Sequence, residues 1–463
     1  MRLELRYKII CIILLATALQ AIAQNTFTLE EAISYALENS NSIEAKNIEI
    51  ADAIQNVKEL KAIGLPKVSG RVDYQYYIKT PSQPLEDFIT PSVIAVLNNT
   101  ISAQDPIPVF QSEPIEFSFF LRNNLNANID ASMIVFDGSY LAALEAAKLF
   151  KDFSKEGIEV TKQEIRATVT KAYLNVLILE KNKETIQKNI KNLEKSIFEI
   201  GEMYKSGFLE KLDVDRLDVS FLNLKTEYAK LLQVEKLSKN VLKFQMDYPL
   251  EDEIILTENL DEALDRYLVE EVSEETELDY SKKAEYLQIL MGLELNAINV
   301  KRLQKGYYPT LSVFANLSET LQREKLFNND EVGFLPAVSV GLSLNVPIYD
   351  GGEKSAQIQR AKLTLEKRNL DLENFEKVTA LQVYNSKLQY LNARSTVETT
   401  KRSLELMEDI HEKTLIKFRE GVGSSIEVTQ AESNLYQAQS SYINALYDLL
   451  NAKTDLDIAL GEI

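Results

Sequence analysis

The feature that most constrains the fold of this 463-residue chain is an internal duplication. Three short matches occur in the same order in both halves. They pair Asn56–Leu60 with Asn299–Leu303, Phe136–Gly138 with Tyr349–Gly351, and Gly207–Val214 with Gly421–Val428, at offsets of 243, 213 and 214. Because such repeats fold as copies of one structural unit, the chain is predicted to contain two similar units. We assign them to residues 24–248 and 281–463, with an acidic connector at 249–280.

The two copies differ by one insertion. The offset between matching points falls by 30 after the first match, so the first copy carries about 30 extra residues there. They fall in residues 79–114, which hold six of the eleven prolines. A proline-rich stretch between two strands is typical of an extended surface loop.

Each copy contains two stretches in which apolar and polar residues alternate. They lie at about 68–78 and 115–136 in the first copy and at about 309–319 and 336–348 in the second. This pattern predicts strands with one apolar and one polar face. Strands of about ten residues suit a bilayer-spanning sheet, and the alternative is a sandwich with wet outer faces. Since even small barrels need about eight strands, the membrane interpretation requires oligomerisation.

Long helical hairpins follow the strands, at 138–248 and 353–460. Apolar residues from Ile165 to Ile200 step by four and three, and so do those from Ala431 to Leu456. This spacing predicts coiled-coil seams. Glycines at Gly207 and Gly421 predict tight turns, and the returning helices are expected to start near Asp213 and near Ser424–Glu427.

The first residues predict export. Residues 1–23 combine basic residues, an apolar run too short to span a membrane, and a small-residue cleavage site, so we expect cleavage after Ala23. The single cysteine, Cys11, lies within this signal, and the mature chain therefore has no thiol chemistry. A net charge of −19 argues against nucleic acid as a partner, because phosphate binding needs a basic surface.

Candidate chemistry is sparse. His411 is the only histidine, and no second metal ligand or catalytic partner is evident near it, so we interpret it as structural and predict neither an enzyme nor a cofactor or metal site. Acidic residues instead cluster at the turns: Asp213, Asp215, Asp218, Glu427 and Glu432. They are expected to stabilise helix N-termini, to form acidic rings that narrow an aperture and prefer cations, or to do both. The acidic residues of 249–280 are interpreted as a solvated connector.

The order of these motifs resembles one family. The signal, the two copies, the strand-ending Phe136–Gly138 and Tyr349–Gly352, and the turns Tyr204–Gly207 and Phe418–Gly421 resemble the TolC-like outer membrane efflux proteins. The resemblance covers essentially the whole mature chain. It implies a mainly α fold with a transmembrane β part: a homotrimer with a twelve-stranded barrel in outer-membrane lipid and a periplasmic helical tunnel.

The resemblance also implies partners. The turns at Gly207–Val214 and Gly421–Val428 would meet a periplasmic adaptor (membrane fusion protein), which links the tunnel to an inner-membrane pump or exporter. Residues 249–280 would belong to a belt around the tunnel. The sequence departs from the family pattern in the 79–114 loop and in the differing residues after each turn glycine, which suggests that the turns are not equivalent. The alternative function is a periplasmic coiled-coil adaptor or scaffold without a channel.

Overall fold

The structure is a computed structural model that describes residues 26–85, 93, 115–118, 120–268, 278–327 and 333–463. The predicted signal, most of the predicted loop at 79–114 and part of the predicted connector lie outside these residues. The chain divides into two compact units, each of which contains segments of both sequence repeats. The helical unit comprises residues up to 55, 148–297 and 362–463, and the sheet unit comprises 56–147 and 298–361.

The described strands and helices are each numbered in chain order. The strands are β1 (Thr26–Phe27), β2 (Lys67–Tyr76), β3 (Gln83–Leu85), β4 (Ile115–Phe117), β5 (Asn123–Phe136), β6 (Ile255–Leu256), β7 (Thr310–Arg323) and β8 (Leu335–Asn345). The α-helices are α1 (Leu29–Asn39), α2 (Asn41–Ile63), α3 (Gly138–Lys205), α4 (Lys211–Gln245), α5 (Leu260–Leu268), α6 (Ala284–Lys305), α7 (Glu353–Arg419) and α8 (Ser425–Leu460).

Four long strands form the antiparallel sheet of the sheet unit, in the order β2-β5-β7-β8. The register aligns apolar residues with apolar residues, and polar residues with polar residues, across the four strands. One row contains Val68, Ala131, Ala315 and Val340, and the neighbouring row on the other face contains Ser69, Asp130, Asn316 and Ser339. The sheet therefore has one apolar and one polar face, as the alternation predicts. The pairing of β5 with β7 joins the two sequence repeats.

Three of the four predicted strands have boundaries that differ by more than two residues from those observed. The predicted strand at 115–136 is divided into β4, which pairs with β3, and the long strand β5. The strand predicted at 309–319 continues to Arg323. The strand predicted at 336–348 ends at Asn345, two residues before Pro347, whose ring nitrogen has no hydrogen to donate to a neighbouring strand.

The helical unit is held together by the predicted heptad seams. Ile186, Leu193 and Ile200 of α3 are buried at seven-residue intervals, and Leu217, Leu224 and Leu231 of α4 pack against them with the same spacing. In α8 the buried residues likewise follow the predicted seam from Ala431 to Leu456. A long helix cannot bury its own stripe of apolar side chains. These side chains therefore stabilise the hairpins by packing against the neighbouring helix.

Part of the acidic segment differs from the solvated connector predicted for it. Ile254, Leu256, Leu260 and Leu264 are buried in the largest apolar cluster of the helical unit. In addition, β6 pairs in parallel with β1, placing Thr26 opposite Ile255. Leu260, Ala263 and Leu264 form a buried apolar face of α5, whereas its acidic side chains are exposed, and net charge alone does not reveal that apolar face.

A buried ion cluster ties α3 to α4. The carboxylate of Glu235 accepts hydrogen bonds from the ammonium groups of Lys183 at 2.6 Å and Lys239 at 3.1 Å, and Lys239 also contacts Glu180 at 2.8 Å. Burial by itself would raise the pKa of the Glu235 carboxyl, but the two lysines outweigh burial and hold that pKa below its ordinary value. The buried charge is thus stabilised by its partners.

Candidate functional site at the two helical turns

The first turn reverses the chain between α3 and α4. Gly207 has a φ of +78°, a left-handed conformation that glycine adopts without steric cost. The amide of Phe208 donates to the carbonyl of Met203 at 3.0 Å, which closes the end of α3. The returning helix begins at Lys211, two residues before the predicted start, because Glu210 is its N-cap and its amide donates to Asp213 Oδ2 at 3.2 Å.

The second turn repeats this geometry between α7 and α8. Gly421 has a φ of +77°, and the amide of Val422 donates to the carbonyl of Lys417 at 3.0 Å. Ser424 caps α8, since its hydroxyl accepts a hydrogen bond from the amide of Glu427 at 3.3 Å. The turns at Gly207 and Gly421 and the start of α8 therefore lie at the positions predicted from the sequence.

Substituting alanine at these glycines should have the opposite effect from the same change within a helix. We expect Gly207→Ala or Gly421→Ala to destabilise its turn by about 1 kcal/mol or more, because the left-handed conformation crowds a β-carbon. Gly201→Ala is the matched control: Gly201 lies inside α3 with no atom within 4 Å of an added β-carbon, so this change should stabilise the helix by roughly 0.5–1 kcal/mol. Hydrogen exchange of the turn amides measures both effects, and equal behaviour of the three variants would contradict the expectation.

Polar contacts join the two turns to each other. Asp213 Oδ1 accepts a hydrogen bond from the hydroxyl of Ser425, and the guanidinium of Arg216 lies 3.8 Å from the same carboxylate. On α7, two nitrogens of Arg419 donate to Glu199 Oε2 of α3, at 2.8 and 3.2 Å. These contacts hold the first hairpin against the second at the level of the turns.

The structure separates the predicted site residues into two groups. Val428 and Glu432 are buried, Val214 is partly buried against the same apolar cluster, and Asp213 is engaged by Ser425. A second set is exposed at or beside the turns: Gly207, Asp215, Asp218, Gly421 and Glu427. Solvent can therefore reach the exposed set, whereas the other residues face neighbouring helices inside the hairpins.

Four exposed apolar residues at the turns were missed by the sequence analysis. Phe208 and Val422 are 79% and 77% exposed, and Leu212 and Ile426 are also exposed. Phe208 and Val422 are 214 residues apart, as are Leu212 and Ile426, and the same offset relates the two turns. The apolar residue that recurs directly after each turn glycine was the available signal, because exposed apolar side chains grouped at a surface are typical of a partner contact.

His411 lies away from the turns, on α7 opposite Glu432 of α8, with Nε2 and Oε1 separated by 3.9 Å. Among the described residues, no set of three or more histidine, cysteine, aspartate and glutamate side chains is arranged to hold a metal ion. Nor does any helix in the described part of the chain combine the length and the apolar character needed to cross a membrane.

Comparison with known proteins shows which family part of the chain matches and which proteins the chain resembles. The family "Outer membrane efflux protein" matches residues 293–462. The chain is 21% identical to the outer membrane protein TolC of Escherichia coli (strain K12) over 357 residues, which cover 74% of this chain and 70% of TolC. It is 22% identical to the alkaline protease secretion protein AprF of Pseudomonas aeruginosa over 185 residues, 40% of this chain and 38% of AprF.

A solved structure shares the architecture. The crystal structure of CusC, studied for its folding and transmembrane channel formation, superposes with a TM-score of 0.74 at 13% identity, covering 94% of this chain and 92% of CusC. The predicted fold class is thereby confirmed: long helical hairpins with a few strands, in the channel-tunnel arrangement. The family consists of transport conduits of the outer membrane, so the prediction that the chain is not an enzyme is also confirmed. The chain is thus related to the TolC-like outer membrane efflux proteins: residues 293–462 match that family, and nearly the whole chain shares the fold of an outer-membrane channel.

Proposed function

We propose that three copies of the chain form a passive channel that carries substrates across the outer membrane for efflux or type I secretion. The observation that carries this proposal is the exposed apolar face of the four-stranded sheet. Val68, Val72, Val338, Val340 and Leu342 all lie on this face, and each is at least 70% exposed. Aqueous surfaces rarely present so continuous an apolar patch, whereas lipid-facing strands require one.

The edges of the sheet support the assembly of several copies. In the described part of the chain, β2 and β8 form the two ends of the sheet, and each has one side without a strand partner. Unpaired backbone groups are costly in lipid. Pairing β8 of one copy with β2 of the next removes every open edge, and three copies give a closed sheet of twelve strands.

The helices supply further surface for contacts between copies. Exposed apolar side chains continue along α4 and α7 of the helical unit. They include Leu222, Leu237 and Phe244 on α4 and Leu370, Leu381 and Leu388 on α7. Apolar stripes of this length are typical of surfaces that become buried on oligomerisation. They support a homotrimer in which the hairpins enclose the conduit.

The turns provide the contact with a periplasmic adaptor, through which an inner-membrane pump delivers the substrate. Phe208 and Val422 supply apolar contact area at equivalent positions of the two hairpins, with Leu212 and Ile426 one helical turn further on. The exposed carboxylates of Asp215, Asp218 and Glu427 border the same region. In a trimer they repeat threefold, an arrangement that favours the passage of cations. Cleavage of the signal after Ala23 belongs to this proposal, because the mature chain must cross the inner membrane.

Assembly and conduction test the proposal together. The purified protein should migrate as a trimer that heat converts to monomer, fractionate with the outer membrane, and produce ion conductance in a planar lipid bilayer. Native mass spectrometry in detergent measures the copy number independently. A monomer that stays in the periplasmic fraction and produces no conductance would contradict the channel and favour a scaffold role.

A further inference from the structure

A buried pair of ionisable side chains lies inside the second hairpin, between α7 and α8. The side chain of His411 is 18% exposed and that of Glu432 is 5% exposed, and His411 Nε2 lies 3.9 Å from Glu432 Oε1. Neither His411 Nε2 nor Glu432 Oε2 has a hydrogen-bond partner among the described residues. The two groups therefore face each other without being bonded, since a hydrogen bond requires about 3.2 Å or less.

This arrangement is unfavourable while the imidazole is neutral. A buried carboxylate oxygen without a hydrogen-bond partner, such as Glu432 Oε2, loses its hydration without compensation. Glu432 occupies the apolar seam of α8, four residues after Val428 and three before Leu435, both of which are buried. Protonation of the imidazole supplies the missing positive charge and a donor, and a side-chain movement of about 1 Å then closes the gap to hydrogen-bond distance.

None of the charged groups around the pair takes the place of a protonated imidazole as the partner of Glu432. A cavity of about 280 Å³ beside it is lined by α3, α7 and α8. Its titratable and charged groups are Lys188 and Lys195 of α3, Glu408 and Arg419 of α7, and Tyr436 of α8. Both lysine side chains are exposed to solvent, and Arg419 is bound to Glu199. Burial, and then the Glu432 carboxylate, raise the pKa of Tyr436, so the phenol stays neutral.

The first hairpin has no equivalent pair. At the offset of 214 residues that relates the two turns, His411 corresponds to Ile197 and Glu432 corresponds to Asp218. Ile197 packs against the apolar cluster of its hairpin, and Asp218 is exposed. The contact between a histidine and a carboxylate is therefore confined to the second hairpin.

We propose that His411 and Glu432 form a proton-operated clamp between α7 and α8. Protonation of His411 converts the 3.9 Å contact into a charge-assisted hydrogen bond that holds the second hairpin closed, and deprotonation releases it. Acidification, which protonates imidazoles, therefore tightens this hairpin relative to the first. The clamp does not depend on the identity of the adaptor or the substrate.

Hydrogen exchange of the full-length protein in detergent, purified without a histidine tag, tests the clamp. Exchange is compared at pH 7.5 and pH 5.5 after correction for the intrinsic chemistry, with peptides around 190–222 as the internal reference. We expect peptides around 404–436 to become about tenfold better protected at pH 5.5 than the reference, the increment expected of a buried hydrogen bond to a charged group. Because His411 is the only histidine, no other imidazole contributes to the response.

Variants then assign the response to the pair. His411→Gln and Glu432→Gln should each abolish the pH-dependent difference between the two hairpins. Glu408→Gln is the matched control, because Glu408 lines the same cavity from α7 without facing His411 as a partner, and it should retain the full response. An equal pH response of both hairpins in the unmodified protein would overturn the proposal even if no variant folds, and so would persistence of the difference in both glutamine variants.

Discussion

Replacing Val340 by arginine should prevent the chain from assembling in the outer membrane. Val340 lies on the apolar face of β8 and is 74% exposed in the single chain, so in the proposed trimer its side chain faces lipid. An arginine at the middle of a lipid-facing strand costs about 2–4 kcal/mol. A trimer would carry three such residues. We expect the heat-sensitive trimer to disappear from the outer-membrane fraction, and the bilayer conductance to disappear with it.

The next residue of the same strand provides the control. Ser339 belongs to the row with Asn316 and Asp130 on the polar face of the sheet. Ser339→Arg adds the same charge and bulk one residue away, yet on the face that would line a water-filled interior, where charge is tolerated. This variant should assemble and change only the ion preference of the conductance. If both variants assembled equally well, the apolar face would not be lipid-facing.

Removing the apolar side chains at the turns should abolish export while leaving the trimer intact. In Phe208→Ser combined with Val422→Ser, two side chains that are among the most exposed apolar groups of the helical unit become small and polar. If a partner buries each of them fully, each loss weakens binding by about 1.5–3 kcal/mol, or roughly 10- to 150-fold in Kd. Export in cells that contain the cognate adaptor and pump, and crosslinking of the turns to that adaptor, measure the effect.

Variants at the neighbouring carboxylates distinguish docking through apolar contact from docking through electrostatic attraction. Asp215→Asn and Glu427→Gln remove exposed charges at the same turns but leave the apolar contact area unchanged. We expect these variants to export normally and to show a reduced preference for cations in the bilayer. Normal export by the doubly serine-substituted chain, together with loss of export in the carboxylate variants, would show that charge rather than apolar contact governs docking.

Local periodicity predicted most of the architecture. The alternation in β2, β5, β7 and β8, the heptad spacing in α3 and α8, and the glycines at the turns all depend on residues close together in the sequence. Each pattern follows from the geometry of a single strand or helix. Strand ends were less predictable, because the split between β4 and β5 depends on pairing with β3.

The candidate site was harder to predict, since burial at a turn depends on distant residues. Asp213 is engaged by Ser425, which lies 212 residues away. Glu432 looked like one more exposed acidic residue at the turn, although its place in the seam between Val428 and Leu435 was readable from the four-three spacing. Whether the side chains of Phe208 and Val422 are exposed depends on the rotational orientation of each helix where it meets its turn.

The pairing of β5 with β7 limits the order in which the protein can mature. Asn123 of β5 contacts the backbone of Arg323, which lies 200 residues later in the chain, whereas β7 and β8 are joined by a short connection. Closing so long a segment is entropically costly and slow. Until that pairing forms, each two-stranded half of the sheet therefore exposes its apolar side chains to water. Holding chaperones, rather than intrinsic stability, should then set the yield of assembled channels, and overproduction beyond their capacity should give aggregates rich in the strand segments.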